Sequence, residues 1–104
     1  MILLPPALRA TLPARYSQEK AKDPIVHIKF FTPWTSWTWF VTEGDEQEDT
    51  FMFFGYVIGH EEEWGYFNLN ELESIAGPAG LKIERDLHFR PGPFSEVLAR
   101  FRGK

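Results

Sequence analysis

The chain contains no cysteine, which removes disulfides, thiolate nucleophiles and cysteine-based zinc sites together. That fits a reducing compartment, and a cytoplasmic location is the expectation. Long apolar runs are missing too: the opening MILLPPALRATLPARY has no basic leader, and Pro5, Pro6, Arg9 and Pro13 interrupt it. Neither a signal peptide nor a membrane span is expected from such a segment. Positive charge is scarce. Eleven Lys and Arg against 15 Asp and Glu give a formal net charge of -4, which opposes general attraction to nucleic-acid phosphates. No serine lies in a G-x-S-x-G elbow, no glycine-rich loop opens a helix, and HEEEW lacks the second histidine of an H-E-x-x-H site. His27, His60 and His88 show no helical ligand spacing, so no metal and no cofactor are expected.

Aromatic residues are plentiful at 16% within a hydrophobic share of 43%, enough apolar surface to offset chain entropy and exclude disorder. A chain of 104 residues has room for one domain, residues 1–104. Leu4, Leu8 and Leu12 recur at every fourth position and predict a short N-terminal helix from Pro5 to about Tyr16, with Pro6 in its first turn. SQEKAKD reads as an exposed connection. IVHIKFF alternates Val26, Ile28 and Phe30 against His27 and Lys29 and predicts a strand.

The stretch FTPWTSWTWF holds three tryptophans among hydroxyl residues. Trp37, Trp39 and Val41 share one face of a predicted strand and point to the core, whereas Trp34 falls in the turn, off the alternation. Trp34 is therefore expected to be partly exposed, and with Trp64 it forms a candidate aromatic surface. TFMFFGYVIG is apolar on both faces and predicts a central strand covered on both sides, with Gly55 marking a bulge or a close backbone approach. WGYFNL supplies a further strand. Asn68 followed by Glu71 resembles a capping box opening a central helix that Gly77 and Pro78 end. GLKIERDLHF alternates again, and Phe94, Val97, Leu98 and Phe101 at i, i+3, i+4 and i+7 predict an amphipathic C-terminal helix. The fold class that results is α+β: a mostly antiparallel sheet of about four to five strands with a short N-terminal helix, a central helix and a C-terminal helix.

Two charges break the pattern. Glu43 continues the face of Trp39 and Val41, and Arg85 lies between Ile83 and Leu87. An isolated buried charge is costly, so the two are expected to approach each other, with a tryptophan such as Trp39 against the guanidinium. The pair is either a structural bridge or one wall of a binding pocket. Glu84 and Asp86 flank Arg85 on the opposite strand face, and the acidic runs EGDEQED and HEEEWG read as solvated loops.

At KFFTPWTSWTWFVTEGD, EEEWGYFNLNELESI and GLKIERDLHFRP the chain resembles the uncharacterised bacterial domain-of-unknown-function family DUF2958. The resemblance extends to LPARYSQE and DPIVHIKFF and so covers nearly the whole chain. It implies a small cytoplasmic protein of plasmids, phages and integrated elements, with no catalytic residues to carry across. Trp39, Glu43, Glu84, Arg85 and Asp86 fall in its motif regions TWFVTE and IERD. Where relatives often read ELGY this chain has EWGY, so Trp64 adds a bulky ring there. The expectation is a non-enzymatic module with a protein partner and no membrane association. The alternatives are a nucleic-acid accessory protein, disfavoured by net charge, and a small metal-dependent hydrolase.

Overall fold

The computed structural model describes residues 1–103. Its elements run α1 (Pro6–Arg9), β1 (Ile25–Val26), β2 (Ile28–Phe31), β3 (Thr38–Glu46), β4 (Phe51–Ile58), β5 (Glu62–Asn68), α2 (Leu69–Ser74), β6 (Glu84–Arg85), β7 (Gly92–Pro93) and α3 (Phe94–Phe101). Five strands form one antiparallel sheet in the order β5-β4-β3-β2-β6, and β1 pairs with β7 in a second, two-stranded sheet. This is the α+β architecture expected from the strand and helix patterns.

The two-sided apolar character of β4 is met by two separate cores. On one face, Phe53 and Phe30 pack edge to face at 5.6 Å, joined by Ile28, Trp39, Val41, Phe67, Leu72 and Ile83. Leu3 and Leu4 close that side, and the half-buried Leu8 and Leu12 extend it. On the other face, Val26, Phe40 and Val97 form a smaller core against Tyr56, Ile58, Phe94 and Leu98. The stripe of α3 is what covers this second face.

Capping fixes the start of α2. The Asn68 side-chain oxygen accepts the Glu71 backbone N–H at 2.8 Å, which satisfies one orphan donor of the first turn, and the Asn68 side-chain amide donates to the Glu71 carboxylate. Helix α1 is shorter than its leucine spacing predicts, ending at Arg9. Leu12 still packs on the core after the helix has ended. Likewise, only Glu84 and Arg85 of the GLKIERDLHF stretch are strand, while Leu81 and Leu87 are exposed. The alternation there does not mark a core face, because only Ile83 reaches the core.

Register decides the site. Val41 stands opposite Gly55, yet Glu43 stands opposite Phe54, so Thr42 is an inserted residue in β3. A bulge of this kind turns the following side chains to the opposite face. Gly55 is the residue that permits it: a Cβ built there would lie 1.9 Å from the Phe40 carbonyl oxygen, so the close backbone approach expected at this glycine is present.

Candidate functional site

The bulge removes Glu43 from the face of Trp39 and Val41 and places it on the face of Phe54. Without the inserted Thr42 the carboxylate would point among phenylalanines; with it, Glu43 lies at the base of a cleft on the other side. It is still 4% exposed, and a buried carboxylate of this kind requires donors. They come from a segment distant in sequence: Glu43 accepts the backbone N–H of Tyr16 at 2.8 Å on one oxygen and that of Gln18 at 2.6 Å on the other. Tyr16 holds a left-handed φ of 71°, uncommon for a bulky residue. That turn aims both amides at one carboxylate.

Further contacts latch the same segment. The Gln18 side-chain amide donates to the Thr42 carbonyl at 2.7 Å and accepts the Ile25 N–H at 2.9 Å. Arg15 donates to Asp45 through its guanidinium at 2.8 Å and its backbone N–H at 3.2 Å. Burial would push the Asp45 carboxyl up, but the bonds from Arg15 and Gln47 outweigh it and hold the group below its ordinary value. SQEKAKD is therefore not a plain exposed connection, since its first residues tie β1 and β3 together.

Between this segment and the outer face of β4 and β5 lies a cleft of about 350 Å³. Tyr16, Glu19, Lys22, Thr42 and Glu43 line one side, and Phe54, Trp64 and Tyr66 the other. Trp64 stacks on Phe54 at 5.8 Å with 13° between the rings and also meets Phe94 of α3 at 4.7 Å. Nevertheless Trp64 is 39% exposed, Tyr66 50% and Tyr16 57%. The Arg15 guanidinium lies 5.5 Å from the Tyr16 ring and 5.9 Å from the Tyr66 ring, within the range of cation–π attraction. Tyr16 beside Tyr66, together with desolvation, raises the Tyr66 phenol above its ordinary value.

The predicted meeting of Glu43 and Arg85 does not occur. Arg85 is opposite Phe30, which is opposite Trp39, so its place in the sheet is two strands across from β3 and four residues back from Glu43. Its guanidinium instead donates to the carbonyls of Ile2 and Leu3 at 2.8 and 3.0 Å, fastening the N-terminal segment to edge strand β6. The assumption that failed was continued alternation, which the bulge interrupts on one side and the two-residue strand on the other. Trp39 is 6% exposed in the core, beside Trp37 at 5.8 Å. Asp86 pairs with Lys29 at 3.6 Å and accepts the His88 N–H at 2.9 Å, and Glu84 stands opposite Phe31.

Trp34 does not join Trp64. It packs half-buried against the first core, its ring over Gly77, whereas Trp64 lies on the other face. Tyr16, Gln18, Phe54 and Tyr66 are site residues that alternation did not single out; the one sequence signal was the inclusion of LPARYSQE in the motif pattern. Among the described residues no group of three or more His, Asp or Glu side chains is placed to hold a metal ion, and no helix is long and apolar enough to cross a membrane.

Residues 3–101, which include both walls of this cleft, match the family described as Protein of unknown function (DUF2958). The chain belongs to that family. No curated protein and no solved structure matches it, so for this DUF2958 member the cleft's chemistry has to be read from its own residues. The Glu43 carboxylate has both oxygens engaged by amides, which suits a structural latch that leaves negative potential at the cleft base. The rings above it offer flat apolar surface with exposed edges.

Proposed function

We propose that this DUF2958 protein is a non-enzymatic protein-interaction module whose cleft receives an extended segment of a partner carrying a lysine or arginine. The observation that carries the reading is the exposure of Trp64, Tyr66 and Tyr16 around one cleft that has Glu43 at its base. Exposed aromatic rings gathered at a concavity are the anchors that interfaces favour. A basic partner is favoured because Tyr16 and Tyr66 already lie against the chain's own Arg15 and because Glu19 and Glu43 line the cleft. The reading includes a cytoplasmic setting and an accessory role in plasmids, phages or integrated elements, as the motif resemblance implies.

The test is selection from a random extended-peptide library on the immobilised protein, in parallel with Trp64→Ala. Enrichment of Lys- or Arg-bearing peptides on the wild type, lost on Trp64→Ala while the variant keeps a cooperative unfolding transition above the selection temperature, is the expected outcome. Equal enrichment on both proteins, or none on either, would remove the cleft as the docking site.

A further inference from the structure

A second concavity, of about 270 Å³, lies between the β6–β7 loop and α3 and has the opposite character. Lys29, Arg90 and Arg100 line it together with His88, against one carboxylate, Asp86. Three permanent cations facing one anion in a chain of net charge -4 is a local inversion of sign. Asp86 is occupied by Lys29 at 3.6 Å and by the His88 backbone N–H at 2.9 Å. Arg100 gives one nitrogen to the Arg90 carbonyl at 2.7 Å, while its buried Nε has no hydrogen-bond partner among the described residues. Buried donors are ordinarily paired, so this one leaves a place for an acceptor, a water or an anion. Phe40, Phe89, Val97 and Phe101 supply the apolar part of the lining, and the Lys29 ammonium lies 5.3 Å from the Phe101 ring.

We propose that this concavity is a phosphate-binding site in which Arg100, Arg90 and Lys29 supply the charge and the donors. A guanidinium matches the planar pair of oxygens that a phosphate presents. The Arg90 carbonyl holds the Arg100 fork in place, so the donor is oriented before the ligand arrives. Phe89 and Phe101 line the same concavity. The shared ligand chemistry is a phosphate oxyanion, whether a free phosphate or a phosphodiester of a single strand.

The experiment is a ¹H–¹⁵N titration of the full chain, including Arg side-chain signals, at constant ionic strength set with sodium chloride. One arm uses inorganic phosphate and the other an oligothymidine of about ten nucleotides without terminal phosphate, within the span of one small binding domain. Saturable shifts confined to Arg100, Phe89, Arg90 and Lys29 are expected in at least one arm. Response to phosphate assigns a free oxyanion; response to the oligonucleotide alone assigns a phosphodiester. Arg90→Gln, whose side chain is exposed, and Arg100→Gln should each weaken the response by about tenfold or more, the loss of a charge-assisted bond. No saturable shift in either arm, or shifts that persist unchanged in both variants, would overturn the assignment.

Discussion

Replacing Glu43 by glutamine keeps the shape of the side chain and removes its charge and its capacity to accept at both oxygens. In the native fold those oxygens take the amides of Tyr16 and Gln18. Hydrogen bonds to a charged group contribute about 1.5–3 kcal/mol each, against about 0.5–1.5 for neutral ones. Glutamine retains one acceptor at the neutral value and turns its NH₂ toward the other donor. The difference is a loss of about 2.5–4.5 kcal/mol, nearer the lower figure because the desolvation cost of the buried charge disappears with it. For a domain of this size that lowers the melting temperature by about 10 °C or more. The loss should also be localised. Amide hydrogen exchange at Tyr16 and Gln18 should accelerate more than exchange at Phe30 or Phe53, since the segment can detach before the cores open. A melting temperature within 2 °C of the wild type, with Tyr16 and Gln18 still protected, would refute the view that Glu43 is the latch.

Gly55→Ala forces a Cβ against the Phe40 carbonyl at the bulge and should cost about 1–3 kcal/mol or more by chemical denaturation, the range of overpacking. Its cross-strand partner Gly65 has nothing within 4 Å of such a Cβ, so Gly65→Ala should be nearly neutral; equal effects would contradict the bulge geometry. Bonds from Ser95 hold Asp23 below its ordinary 3.8, and those from Arg15, against burial, do the same for Asp45. The unfolded chain therefore protonates these groups first, so their contribution is complete well above pH 3.8, begins to fall there and is lost once the pH passes the folded values. Asp23→Asn and Asp45→Asn should each flatten the acid limb of a stability–pH curve, and an unchanged limb would exclude the contacts. Burial depresses His27 below 6.5, so the unfolded state binds its proton more readily and stability should decline as pH falls through that value; His27→Gln should remove this component. Arg85→Ala frees the carbonyls of Ile2 and Leu3 and should raise exchange and proteolysis in residues 1–4, with the central strands unaffected.

The readings that held rest on interactions within a few residues. Asn68 caps α2 through Glu71, three positions on, and both residue types are visible in the sequence. The stripe of Phe94, Val97, Leu98 and Phe101 places α3, and the two apolar faces of β4 foretell two cores. Trp39 and Val41 are interior because strand alternation holds up to the bulge.

What required tertiary structure depends on contacts across the chain. Alternation has a period of two, so the single inserted Thr42 reverses every following side chain, and the insertion is fixed by pairing with Gly55 on a neighbouring strand. The donors that satisfy Glu43 come from 25 and 27 residues away, and those carbonyls that hold Arg85 come from 82 and 83. Sequence identifies a charge that must be compensated, because its desolvation cost is intrinsic. Only the folded chain selects the compensating group, since that choice follows from which backbone donors and acceptors the packing leaves within reach.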